Sequence, residues 1–417
     1  MMASGLNMPE PSRYGISPKY GFLSAHHPLS QFSNRYYKPW DDIIPDLHRS
    51  ISNNTLNKAV ANLPHLTADK LDSDLDYRRA YVILAFLINA SVWHTKPPNP
   101  EVPASLAEPF LDVCQYLRME PVLSYAGLCS WNWQIINGGG MELENMTTIA
   151  SFTGTRGEAA FYHVPVLIEW EGGYLVHLLL DAILAANEDT AENARTIVKD
   201  ALDETSRALT KMAIHLPKFN ATLDPHFFYH THRPFMAGGK GMEAKGLPDG
   251  MVFHRSDGST LPLKLVGGSA AQSSLFPFLD YALGVKHTGE ASGPGGVFRE
   301  MRDYMPGLHR DFLDECSKLP SLREYVETNL SDTELTQCYN TCMSQLRSWR
   351  GKHIASVSKY IVQPAREAER SSKVEKLEEK IPDGEEGEKE WELQGTGGSA
   401  LIPFLRGSRD DTVGVTP

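Results

Sequence analysis

The chain has 417 residues, 41% hydrophobic and 22% charged, the balance of a globular protein with a large core and one or two domains. A net charge of −12 with no offsetting basic block excludes a general nucleic-acid binder. No run approaches the roughly 18 apolar residues of a membrane span, and no apolar leader follows the first methionine, so a cytoplasmic protein is expected.

Residues 1–45 read as an extended arm that packs through Tyr20, Phe22, Tyr36, Tyr37 and Trp40. Helical patterns then dominate. One helix is expected over 42–63, with Pro45 in its first turn. Another runs from an N-cap at Thr67 to His94 and carries the most apolar run, 80–92, until Pro97, Pro98 and Pro100 end it. Further helices are expected over 105–117 and 123–136. The break at 137–140 and the polar stretch after it place a domain boundary near residue 150. It separates a small helical domain with its arm, 1–150, from a larger helical domain, 151–417.

In the second part, the apolar run 161–170 is compatible with a strand or a buried helix by periodicity alone. A long charged helix is expected over 183–216, and Asp-Gly signals at 249–250 and 257–258 predict a small hairpin within 246–265. Gly267-Gly268 is a turn entering a helix to 283. A glycine-rich loop covers 288–296, and a helix interrupted at Pro306-Gly307 fills 297–319. From Thr333 to Val362, Leu335, Tyr339, Cys342, Leu346, Trp349, His353, Val357 and Tyr360 recur every three or four residues and form one helix face. Arg347, Arg350 and Lys359 fall off that stripe, and Pro364 is expected to stop the helix. Residues 366–392 hold six basic and eleven acidic residues, a composition that cannot bury a core, so 366–394 is expected to be a mobile charged loop.

Four places carry possible chemistry. His353 lies mid-way along an apolar face, either as a neutral core histidine or as a neutral imidazole ligating a metal or haem iron. His226, His230 and His232 have a spacing that suits a metal, but Pro225 and Pro234 bracket them and no acidic residue sits at metalloprotease spacing. Ser269 in Gly267-Gly-Ser-Ala-Ala approaches a nucleophile elbow whose last glycine is replaced by Ala271; a tight turn bringing backbone close to a ligand is the other reading. Gly395-Thr-Gly-Gly-Ser reads as a lid whose amides approach an anion, or as a linker turn. The five cysteines (Cys114, Cys129, Cys316, Cys338, Cys342) are scattered and contain no Cys-x-x-Cys, which suits reduced core thiols.

Taken together, Tyr20-Gly-Phe-Leu, Tyr36-Tyr-Lys-Pro-Trp, Arg78-Arg-Ala-Tyr-Val, Val122-Leu-Ser-Tyr-Ala-Gly-Leu, Ser151-Phe-Thr-Gly-Thr, Phe228-Tyr-His-Thr-His-Arg-Pro-Phe, Gly267-Gly-Ser-Ala-Ala-Gln-Ser-Ser, Tyr304-Met-Pro-Gly-Leu-His-Arg and Lys352-His-Ile-Ala-Ser-Val-Ser-Lys-Tyr-Ile, closed by Gly395-Thr-Gly-Gly-Ser, run through nearly the whole chain. In these segments the chain resembles the indoleamine 2,3-dioxygenases, of fungal type. The resemblance implies an all-α fold and haem b held by His353 as proximal iron ligand. It implies that Arg233 pairs with the substrate carboxylate, that Phe228 and Phe161 sandwich the indole, and that Tyr125 lies in the indole pocket. By the same resemblance, Gly268, Ser269 and Ala270 form the turn at the haem edge. Thr396 is the lid residue, with Gly397 and Gly398 giving the lid its flexibility.

The implied reaction adds both atoms of O₂ across the indole C2–C3 bond of L-tryptophan or another indoleamine, giving N-formylkynurenine. This is the first step of tryptophan catabolism toward NAD. No residue is assigned as acid or base. An electron donor that keeps the haem ferrous is implied, and a monomer without nucleic-acid or membrane partners is expected. One departure stands out. Where the family usually carries a small polar residue or histidine near the indole N–H, this chain has Pro165, with His163 two residues earlier. That departure motivates an alternative, a haem-binding or haem-sensing relative with little turnover. A hydrolase using Ser269 or the His226 cluster would instead work without haem.

Overall fold

The apolar run 80–92 forms the middle of a helix, Asp74–Trp93, in which every residue from Arg79 to Val92 is buried. A helix that is apolar all round is a buried one; this one packs against Leu56–Ala61, Ala104–Leu117, the Ala126–Ser130 turn and Arg233–Met236. In this computed structural model, residues 6–188, 190–287, 296–378 and 401–416 are described. Among them helices dominate, and the few strands are short, so the expected all-α class holds.

Several boundaries differ from the sequence reading, each for a local reason. The Asp74–Trp93 helix starts at Ser73, whose side chain accepts from the Asp76 amide at 3.2 Å, while Thr67 precedes only a short 3₁₀ turn. Pro45 does not sit in a first turn but divides its segment into Lys38–Ile43, a 3₁₀ turn Ile44–Asp46, Leu47–Ser52 and Leu56–Ala61. Over 123–136 only one π turn forms, Ala126–Ser130. Beyond it, Asn132 exchanges two hydrogen bonds with the backbone of Ala150, at 2.8 and 3.0 Å, and so pulls the chain away from a helical path. Gln134–Ile135 then pairs antiparallel with Met146–Thr147.

The ambiguous run 161–170 is helical, inside Arg156–Gly172, and the expected 183–216 helix is two, Leu175–Glu188 and Ala191–His215. The predicted hairpin is present as Met251–His254 against Thr260–Leu263, and Glu101–Val102 adds to it in parallel. The arm packs as expected: Tyr37 and Trp40 are fully buried. At Tyr20–Gly21 the arm passes so close to Gly173 that a Cβ there would lie 2.2 Å from the Tyr20 carbonyl carbon.

The stripe helix, Thr333–Val357, packs on Ala191–His215 and, on another side, on Leu401–Asp410. It does not simply stop before Pro364. A π turn, Ser358–Val362, shifts the hydrogen-bond register and a new helix, Gln363–Glu378, follows with Pro364 at its second position, where the missing N–H is not needed. The described part of the charged segment, 366–378, is therefore helix and not loop; 379–394 lies outside the described residues, as do 288–295 of the glycine-rich loop. Arginine and asparagine side chains pin the C-terminal stretch to its neighbours. Arg347 bonds Asp410 at 2.8 Å, Asn340 bonds the Val415 carbonyl at 3.0 Å and Arg323 bonds the Val413 carbonyl at 3.1 Å.

Candidate active site

The Arg156–Gly172 helix, the 228–236 turns, the 268–273 turn, the stripe helix and Leu401–Asp410 are the main walls of a cavity of about 290 Å³. Its wall is mostly apolar. Tyr125, Phe161, Phe228, Arg233, Gly268, Ser269, Ala270 and His353 all line it, so eight residues singled out from sequence, spread over more than 200 positions, meet in one place. Thr396, Gly397 and Gly398 lie outside the described residues.

His353 keeps partial exposure because its edge faces the cavity. Burial pushes its imidazole down to about 4, so it is neutral, and among the described residues no hydrogen bond is made to its ring. Its face stacks on Trp349 at 5.6 Å, and Trp349 stacks on Phe276 at 4.0 Å. One turn earlier, Arg350, off the apolar stripe, is nevertheless buried, bonding both oxygens of Asp280 at 2.5 and 2.7 Å, the Ser408 carbonyl at 3.1 Å and the Thr412 hydroxyl. Burial alone would raise the Asp280 carboxyl. The Arg350 charge and a hydrogen bond from His287 outweigh it and hold the group below its ordinary value.

Opposite lie the rings of Phe161 and Phe228, 4.7 Å apart and tilted by 43°. His232 packs edge-on against both. Its partners are buried with it: Tyr162 at 2.8 Å and, beyond, Glu158, which accepts from the Phe152 and Thr153 amides and from the hydroxyls of Ser151, Thr153 and Tyr162. The π turn Phe228–His232 rotates His232 inward and leaves His226 and His230 exposed, with ring centroids 4.3 Å apart. The three histidines therefore do not converge, and the described residues contain no group of three or more His, Cys, Asp or Glu placed to hold a metal ion. Arg233 follows directly and lines the cavity, its guanidinium carbon 5.4 Å from the Tyr229 ring centroid. Burial lowers its pKa, yet a guanidinium remains a cation.

Close backbone packing decides the 268 turn. A Cβ on Gly267 would lie 2.1 Å from the Met236 carbonyl oxygen, and one on Gly268 2.3 Å from Leu128 Cδ1. Ser269 caps this turn. Its oxygen accepts from the Ala271 amide at 3.3 Å and forms a capping box with Gln272. Gln272 also accepts from the Tyr125 amide at 2.9 Å and donates to the Gly267 carbonyl at 3.0 Å, tying two walls together. Behind them, Glu169 accepts from the Tyr125 hydroxyl at 3.2 Å and from Ser273. Burial pushes this carboxyl up to about 7.

Sequence reasoning missed Gln272, Glu169, Ser273, Asp280 and the buried role of Arg350. Two had a signal: Ser269-x-x-Gln272 is a capping-box spacing, and Glu169 is the one acidic residue in the apolar run 161–170. His163 does not substitute for a polar group at position 165. It is buried, gives its hydrogen bond to the Thr147 backbone and is absent from the cavity wall, whereas Pro165 is on it.

The family model for indoleamine 2,3-dioxygenase matches residues 10–415. The chain belongs to the indoleamine 2,3-dioxygenase family. It is 35% identical to a 6-hydroxytryptophan 2,3-dioxygenase of Fusarium equiseti, with 96% of each chain covered. It is 34% identical to the indoleamine 2,3-dioxygenase of Saccharomyces cerevisiae over 97% of this chain and 93% of that one. Against the mouse indoleamine 2,3-dioxygenase 2 the identity is 33%, over 96% and 94%. Membership in this family makes the chain a dioxygenase, in keeping with its all-α fold. It also gives the chain a class of substrate, tryptophan or an indoleamine. Among the described residues no helix is long and apolar enough to cross a membrane.

Proposed function

We propose that the chain, acting as a monomer, holds haem b through His353 and adds both atoms of O₂ across the C2–C3 bond of L-tryptophan, giving N-formylkynurenine. The observation that carries this reading is that a neutral histidine, to whose ring no hydrogen bond is made among the described residues, shares one mostly apolar cavity with a phenylalanine pair and the buried cation of Arg233. The donor set suits haem: a neutral imidazole is the form that ligates iron, and the apolar wall suits a porphyrin face. Haem, when bound, supplies the redox-active iron for dioxygen chemistry, with an external electron donor keeping it ferrous.

The protein's part is position and dryness. Phe161 and Phe228 give the indole an aromatic wall. Arg233 offers a fork of donors to the substrate carboxylate. The apolar wall excludes water, which would otherwise compete for these groups. Tyr125 is fixed at both ends, its amide to Gln272 and its hydroxyl to Glu169, so its ring is a rigid part of the pocket.

The test is the absorbance spectrum of reduced, haem-reconstituted wild type and His353→Ala, followed by tryptophan turnover. A Soret band perturbed by the substitution, with formylkynurenine from wild type only, supports the reading. Loaded wild type that never turns over tryptophan overturns it.

A further inference from the structure

The Phe228–His232 π turn has two faces. Inward, Phe228 lines the cavity and His232 is buried. Outward stand His226 and His230, both exposed, with ring centroids 4.3 Å apart and the planes tilted by 41°. A spacing of four is about one helical turn, so the two side chains lie one above the other. The start of the segment is fixed. Asp224 accepts from the Phe227 amide at 2.7 Å, and Pro225 sets the first turn. Other histidines of the chain spend their ring nitrogens on partners. His65 meets Glu108 at 2.8 Å, His287 meets Asp280 at 2.8 Å, the His94 ring bonds the Ala90 carbonyl at 2.8 Å, and His254 pairs with Glu101. Among the described residues, no hydrogen bond or ion pair is made to the ring of His226 or His230.

Two imidazolium charges this close repel each other. Partial burial and the neighbouring His226 charge hold His230 below its ordinary value. Two neutral imidazoles at the same spacing are instead a pair of donors. An imidazole nitrogen binds zinc at about 2.0–2.1 Å, which puts each ring centre about 3 Å from the ion and two such rings about 4.5–5 Å from each other. A small rotation of two exposed side chains reaches that geometry from the one observed. We propose that His226 and His230 form a two-histidine site for a first-row divalent cation such as Zn²⁺, with water completing its shell. The chelate spans the π turn, so a bound ion staples the backbone that carries Phe228 and leads into Arg233. Neither histidine lines the cavity, and the site does not depend on what the cavity holds.

Calorimetric titration of Zn²⁺ into haem-reconstituted, full-length protein tests it, on wild type, His226→Ala, His230→Ala and, as a control for an exposed histidine elsewhere, His254→Ala. Wild type and His254→Ala should bind zinc alike. His226→Ala and His230→Ala should each weaken binding by roughly tenfold or more, since one of the two protein ligands is gone. Imidazole prefers copper to zinc, so Cu²⁺ serves as a second probe, and its electron paramagnetic resonance spectrum should show coupling to two nitrogens in wild type and to fewer in either variant. Mg²⁺, which takes oxygen ligands, should not compete. Zinc binding that survives His226→Ala or His230→Ala places the ion elsewhere and overturns the inference, as does wild type that takes up no zinc. Neither result touches the proposed function, which is read from the Soret band and from tryptophan turnover.

Discussion

The hydroxyl of Tyr162 lies 2.8 Å from Nε2 of His232, and both side chains are wholly shut off from solvent behind Phe161. A phenol has one proton, and Tyr162 donates it to Glu158 at 3.0 Å. Nε2 of His232 is therefore the donor to the phenol oxygen, which fixes the tautomer and leaves Nδ1 as a bare, unpartnered acceptor. Burial lowers the His232 pKa despite the nearby Glu158 charge, which keeps the ring neutral. The rings of the aromatic wall thus rest on a hydrogen-bonded base and not on apolar packing alone.

Tyr162→Phe keeps the packing and strands the His232 N–H, so it should destabilise the protein by about 1–3 kcal/mol. Combining it with His232→Leu should cost less than the sum of the two single changes, because both partners of the lost bond are then gone. Urea denaturation of the four proteins measures the cycle; strict additivity would sink the assignment of the bond.

Glu169 makes stability depend on pH. Its carboxyl moves from an ordinary 4.5 to about 7 on burial, so between these values the folded state binds more protons than the unfolded. Stability is then expected to fall as pH rises through that window, by on the order of 3 kcal/mol, with the loss complete above it. Glu169→Gln should flatten this component. Unfolding free energies at about pH 5 and about pH 8 give the comparison.

The Arg350–Asp280 pair is buried on both sides, and Arg350 also holds Ser408 and Thr412. Arg350→Met leaves a buried carboxylate facing only His287 and should cost about 3–5 kcal/mol. Hydrogen exchange should also quicken across 404–412. Unchanged protection there would mean that the C-terminal stretch is held by its other contacts.

Arg233→Lys retains the charge but loses the planar fork. For tryptophan turnover, KM is expected to rise by roughly tenfold or more while the Soret band is unmoved, since a single ammonium cannot form two parallel bonds to a carboxylate. A matched fall in kcat with KM unchanged would move Arg233 out of ground-state binding.

What was legible in the sequence was what period and covalent chemistry determine. The stripe from Leu335 to Tyr360 gave the helix that carries His353, and the two Asp-Gly pairs gave the hairpin. The segment 123–136 was misread because its apolar content is shared by a helix and by a chain pressed against Tyr81. There, a Cβ on Gly127 would come within 2.8 Å of the Tyr81 ring, and Asn132 binds Ala150 across 18 positions. The site was legible only where motifs named it. The burial of Arg350 is not legible because its partners, Asp280 and Thr412, are 70 and 62 residues away, and no local pattern announces a distant carboxylate. Pro364 was read as a stop because the sequence does not show that a π turn resets the register before it.

Phe404, Leu405 and Ser408 close one side of the cavity, and they come later in the chain than every other residue of its wall. A nascent chain on the ribosome can thus assemble the Asp74–Trp93 centre and the stripe helix while the hollow is still open to solvent, with an apolar surface that invites chaperones or aggregation. On the proposed reading, cofactor capture is a late event in the life of each molecule. A stop codon ahead of residue 404 would yield a chain rich in native helices whose cavity lacks one of its walls.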